Sequence, residues 1–135
     1  ENYDDMSTLR VDRIAHITVL NERRKSLREI KGYQQQRTFN VSQYVKEHIY
    51  MFGGESITVT FKARRSIVNQ ILDWFDGNVE FTNITADNVV CRVRVNHDAF
   101  KYWALQYMQS VKVLTPASLV TEVKAAIEEG LHQYS

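Results

Sequence analysis

The order of alternating and helical patterns after residue 55 constrains this chain more than any other feature in it. "ESITVTFKA" places Ile57, Val59 and Phe61 on one side of a period-2 pattern and Thr58, Thr60 and Lys62 on the other, as a half-buried strand requires. "RRSIVNQILDWF" then carries Ile67, Val68, Ile71, Leu72 and Phe75 at helical spacing. "VEFTNIT" and "VVCRVRV" are two strands joined by the turn Ala86-Asp87-Asn88, which makes a hairpin. In the second of them Val89, Cys91, Val93 and Val95 face one way, and Val90, Arg92 and Arg94 the other. "NHDAFKYWALQYMQ" is a helix capped by Asn96 or Asp98, with Phe100, Trp103, Ala104 and Tyr107 facing inward. "VKVL" is a fourth strand. Thr115-Pro116 opens a last helix, with the threonine as cap and the proline at the first position. Its inner face is Leu119, Val120, Val123, Ala126, Ile127 and Leu131.

This β-α-β-β-α-β-α order predicts an α+β fold, a ferredoxin-like βαββαβ sandwich with an extra C-terminal helix. Right-handed crossovers put both main helices on one face of the sheet. The opposite face carries Thr58, Thr60, Lys62, Arg92 and Arg94. It is polar and meets either solvent or a partner.

The first part of the chain is less regular. "TLRVDRIAHITVL" predicts a strand over 9–20, with Val11, Ala15, Ile17 and Val19 on one side. Ile14 shares the other side with Arg10, Asp12, His16 and Thr18, so the facing is mixed. "NERRKSLREIKGYQQQR" holds six basic residues against two acidic ones. It reads as an exposed loop or a weak helix, either a solvated face or an anion-binding stretch. "NVSQYVKEHIYMF" predicts a short helix capped by Ser42, with Tyr44, Val45, His48, Ile49 and Phe52 at helical spacing. Gly53-Gly54 stops it and marks the best linker in the chain.

Enzyme chemistry finds little to stand on. The four histidines, His16, His48, His97 and His132, are scattered, and none has metal-ligand spacing. Cys91 is the single cysteine, so an internal disulfide is impossible, and it lies on the apolar side of a strand. Gly53-Gly54 lacks the glycine, lysine and serine that complete a phosphate loop. His97-Asp98 reads as a helix-cap pattern and not a catalytic pair. With a net charge of +1, no global field draws nucleic acid or a membrane to the chain. No apolar run approaches the roughly 20 residues of a membrane span.

Three successive stretches resemble a known family. "YDDMSTLRVDRIAHITVL" resembles the closing part of the WYL domain of bacterial transcription regulators, where an aspartate-rich turn leads into an Arg-x-Asp-Arg-Ile segment. "FNVSQYVKEHIYMFGGESITVTFKA" resembles the link that follows, and the remainder, through "WALQYMQSVKVLTPASLVTEVKAAIEEGLHQY", the WYL C-terminal extension domain. The resemblance implies the end of a small Sm-like β-barrel at 1–39, a linker helix and Gly-Gly hinge at 40–54, and the extension domain at 55–135. It implies a C-terminal piece of a longer regulator, with the Trp-Tyr-Leu signature and the DNA-binding helix-turn-helix lying before Glu1.

The function implied is effector sensing and dimerisation, in the cytoplasm, with no catalytic residue, no cofactor, no metal and no membrane. The partners implied are a second copy, DNA through the missing N-terminal domain, and a nucleotide or nucleic-acid effector. By this match Arg10 and Arg13 are the ligand-binding candidates, with Asp12 orienting one of them. Arg92 and Arg94 are candidates for an interface. Two other readings compete. One is a ferredoxin-like small-metabolite binding domain or enzyme unrelated to transcription, which would bring His97, Asp98 and Cys91 together. The other is an oligomerisation unit without a ligand.

Overall fold

A computed structural model describes residues 9–30, 38–75 and 77–135. Its centre is a four-stranded sheet in the order β2-β3-β1-β4, antiparallel throughout. The strands are β1 (Ser56–Arg64), β2 (Val79–Ile84), β3 (Asn88–Asn96) and β4 (Val111–Thr115). Helix α2 (Val68–Phe75) joins β1 to β2, α3 (His97–Gln106) joins β3 to β4, and α4 (Ala117–His132) follows β4. The protein is therefore α+β, with the element order read from the sequence.

Register explains why one face is buried. Val59 lies opposite Val93, Phe61 opposite Cys91 and Ala63 opposite Val89, so the apolar sets of adjacent strands share a face. All six residues are buried there under Ile71 and Phe75 of α2 and Phe100, Trp103 and Ala104 of α3. Four rings, those of Phe61, Phe75, Phe100 and Trp103, all contact one another, with centroids 4.8–6.3 Å apart. Leu119 of α4 closes the same core. On the open face Thr58 pairs with Arg94, Thr60 with Arg92, and Lys62 with Val90 and Lys112.

The segment before the sheet, 40–54, is docked on this core. Helix α1 (Val41–Glu47) is capped by Asn40, whose Oδ1 accepts from Gln43 N at 3.0 Å. The expected cap, Ser42, lies inside the helix, because Asn40 already reaches the free N–H groups of its first turn. The helix ends at Glu47, short of the expected 52, and a 3-10 turn over Ile49–Met51 follows. Tyr50 adopts φ 58° within that turn, which breaks helical continuity. Ile49 joins the hydrophobic core. His48 is buried, stacked on Tyr44 at 3.9 Å, with its ring nitrogens 2.9 Å from Tyr44 O and 3.2 Å from Gly54 O.

Two further expectations are corrected. Residues 9–20 form no strand; Val11–Arg13 is a 3-10 turn and the rest of the stretch is exposed and unladdered. A period-2 pattern becomes a strand only where a neighbour takes its N–H and C=O groups, and among the described residues none does. Thr115 does not cap α4: it is the last residue of β4, and Pro116 occupies the cap position with no side-chain hydrogen bond. The "VKEHIYMF" helix and the 31–37 part of the basic stretch fare differently: the first is shortened as described, and the second lies outside the described residues.

Candidate functional site

Arg10 is the extended residue before the 3-10 turn that contains Asp12 and Arg13, and it contacts Asp12. The Arg10 guanidinium grips Asp12 by both oxygens, Nε to Oδ1 at 2.9 Å and Nη2 to Oδ2 at 2.5 Å. That contact holds the Asp12 carboxyl below the usual carboxylate range. It fixes the fork of Arg10 in place at a surface site. Arg13 is exposed, and among the described residues it makes no ion pair. The turn region thus carries one guanidinium engaged by Asp12 and one, that of Arg13, without an ion pair among the described residues.

Arg92 and Arg94 occupy the open sheet face on β3. Arg92 lies across from Glu80 on β2 and Thr60 on β1. Arg94 reaches Glu47 of α1, Nε to Oε1 at 3.4 Å, and stays more than half exposed. No described contact joins these two residues to the Arg10 turn.

Three features of this face and its rim are absent from the sequence reading. Lys62 and Lys112 stand directly opposite each other on β1 and β4. A cleft of about 410 Å3 lies at the turn end of the sheet, lined by Arg64, Arg65, Ser66, Ala86, Asp87 and Asn88. Tyr50, Phe52, Trp74 and Tyr102 form an aromatic group beside α3, and the Tyr50 hydroxyl donates to Gln106 Oε1 at 2.5 Å. The alternation that places Lys62 outward also predicts Lys112 outward; which strand lies beside which is a tertiary fact.

His97 bonds Asp98 at 2.9 Å through Nδ1 and Glu122 at 3.2 Å through Nε2, while Lys101 donates to Glu122 at 3.1 Å. This cluster ties the start of α3 to α4. Cys91 stays apart from it on the core face of β3, where it is fully buried. Burial pushes its thiol up to about 11, which suppresses the thiolate near neutral pH. Reaction of native protein with Ellman's reagent at pH 8 is therefore expected to be at least about a hundredfold slower than in urea. Fast labelling of the native protein would show that this strand opens far more readily than its burial implies.

The WCX domain model matches residues 54–131, more than half of the chain and every strand of the sheet. No curated protein matches the chain.

Proposed function

Because this chain belongs to the WCX domain family, found in the C-terminal region of WYL-type regulators, we propose that it is the effector-sensing and dimerisation region of a bacterial DNA-binding transcriptional regulator. The observation that carries this reading is the match across 54–131. The family is associated with regulators rather than enzymes. Finer points of architecture belong to the same reading. The strand order β2-β3-β1-β4, with α2 and α3 contributing to one core, supports a ferredoxin-like sandwich to which α4 is added. Residues 1–39 are the end of a WYL domain, and 40–54 the linker. DNA is bound by a helix-turn-helix outside this chain, and the protein works in the cytoplasm. No described helix is long and apolar enough to cross a membrane.

The effector is a nucleotide or nucleic acid whose phosphate meets Arg10 and Arg13. What supports this is the exposed Arg13 guanidinium, without an ion pair among the described residues, three positions from Arg10; Asp12 holds one edge of Arg10, and the phosphate must displace it or use the other edge. Arg92 and Arg94 belong to the face that meets a second copy. Charge-assisted hydrogen bonds contribute about 1.5–3 kcal/mol each. Arg10→Ala with Arg13→Ala is thus expected to weaken binding of a fluorescein-labelled single-stranded oligonucleotide by about tenfold or more at low salt, read by anisotropy. Unchanged affinity would remove these residues from the effector site.

A further inference from the structure

We propose that the cleft at the turn end of the sheet, with Arg64, Arg65 and the neighbouring Lys62 and Lys112, binds a polyphosphate: a chain of linked phosphate groups, free or as the tail of a nucleotide. This site is separate from the Arg10 turn, and the inference goes beyond the function proposed above.

Strand register brings the charges together. Arg64 closes β1, lies opposite Asn88 at the start of β3, and donates its N–H to Ser110 O, beside the start of β4, at 2.9 Å. Arg65 N donates to Asp87 O in the hairpin turn at 2.9 Å. These two bonds hold the corner where the chain leaves β1 against the β2–β3 turn. The cleft lies there, lined by Arg64, Arg65, Ser66, Ala86, Asp87 and Asn88. Its volume, about 410 Å3, is in the range of small-ligand sites. Alternation puts Lys62 on the same face as Arg64, about 7 Å back along the strand. Lys112 of β4 stands directly across from Lys62, about 5 Å away between Cβ atoms.

The charge at this end of the sheet is uncompensated. Lys62, Arg64, Arg65 and Lys112 are all exposed, and none has a carboxylate at ion-pair distance among the described residues. Arg65 spends one guanidinium donor on Thr85 O, at 3.4 Å, which leaves the rest of its fork. Asp87 is the one carboxylate lining the cleft. Like charges set side by side destabilise a sheet. The rest of the open face avoids this, since Arg92 lies across from Glu80 and Arg94 meets Glu47. Four cations gathered at one end of a chain of net charge +1 are a cost that a bound anion removes.

The lining selects the anion. No aromatic side chain lines the cleft, so a base finds no ring to stack on. Guanidinium forks, ammonium groups, the Ser66 hydroxyl and the Asn88 amide all donate to phosphate oxygens. The cations are clustered and do not track along a groove. That arrangement suits the dense charge of linked phosphates, whereas a nucleic-acid strand carries one charge per nucleotide.

Calorimetric titration of the full chain with sodium tripolyphosphate tests this, at about 50 mM salt, where phosphate contacts are strong. EDTA keeps metal ions out. Arg64→Gln with Arg65→Gln is expected to weaken binding about tenfold or more, and Lys62→Gln with Lys112→Gln about fivefold. Asp87→Asn is expected to tighten it about threefold, because it removes a like charge from the ligand's side; a misfolded variant cannot mimic that gain. Lys124→Glu on α4 changes the net charge as much as the double arginine change does, and is expected to stay within about twofold of the parent. Orthophosphate is expected to bind about tenfold more weakly or worse. A nucleoside triphosphate that binds as tripolyphosphate does assigns the phosphate chain alone; one that binds about tenfold tighter assigns a nucleotide's tail. Circular dichroism checks that each variant folds.

The titrations are repeated with Arg10→Ala and Arg13→Ala, where the affinity is expected to persist. Loss of tripolyphosphate binding in that variant moves the phosphate to the Arg10 turn and overturns the cleft. So does an affinity weaker than about 1 mM, or one that Lys124→Glu lowers as much as the cleft changes do. A single-stranded oligonucleotide held by these four residues more tightly than tripolyphosphate would assign them to nucleic acid instead.

Discussion

Trp103→Ala is expected to destabilise the chain by about 3–5 kcal/mol, the range for truncating a fully buried aromatic residue. Trp103 has no exposed surface and stands at the crossing of the core. Its ring centroid lies 4.8 Å from Phe75, 5.4 Å from Phe61 and 5.5 Å from Phe100, so sheet and both covering helices lose a contact together. Tyr107 packs against it in a tilted contact at 5.0 Å. A domain of this size holds about 5–15 kcal/mol in total, so the loss takes a large part of what keeps it folded. Urea unfolding followed by circular dichroism reads the effect, with the slope checked for a change in the denatured state. Trp103→Phe is the informative companion. The indole Nε1 is buried without a hydrogen-bond partner, so removing it forfeits no bond. Only volume is lost, at about 1–2 kcal/mol. If the alanine variant lost under 1 kcal/mol, the four-ring cluster would not be the centre of the core.

What could be read in advance follows from how far each residue's partners lie along the chain. The alternation in β1 and β3 predicted their buried sets because each strand's pleat carries that information within itself. Phe100, Trp103 and Ala104 were legible for the same reason, as one face of one helix. The stretch over 9–20 shows the limit. It alternates, though less cleanly than β1, yet Val11, Ile17 and Val19 are exposed, because a strand also needs a neighbour, and no sequence period supplies one. Caps misled for a subtler reason. Ser42 and Asn40 are both good caps, and choosing between them depends on where the chain turns from extended to helical, which at Asn40 is φ −86°, ψ 95°. At the candidate sites, the closeness of Arg10 and Asp12 was readable from their spacing. The confrontation of Lys62 with Lys112 was not, since it comes from the β1–β4 pairing, fifty residues apart in sequence.

Asn96 is where segment 40–54 meets the start of α3, and its replacement separates their contributions. Its side chain is buried and uses both ends. Oδ1 accepts from Ala99 N at 3.0 Å, capping α3, and Nδ2 donates to Gly53 O at 2.9 Å. The sequence predicts the cap; the bond to Gly53 is a contact across 43 positions. Asn96→Ala removes the cap, at about 1 kcal/mol, and the part-buried bond to Gly53 O, at about 0.5–1.5 kcal/mol. The sum expected in urea unfolding is therefore about 1.5–2.5 kcal/mol. Asn96→Ser keeps a capping oxygen and loses only the donor, so about half of that loss should return. Hydrogen exchange then tells the two bonds apart. In the serine variant the amides of α1 and the 3-10 turn after it should exchange faster, while those of α3 keep their protection. Equal loss of protection in both would mean that Asn96 acts through the helix cap alone, with α1 held by Ile49 and His48 instead. The physical point is that one buried amide makes both bonds: the side chain that reaches Gly53 O also caps the helix carrying Trp103, so segment 40–54 and the core are joined by one residue.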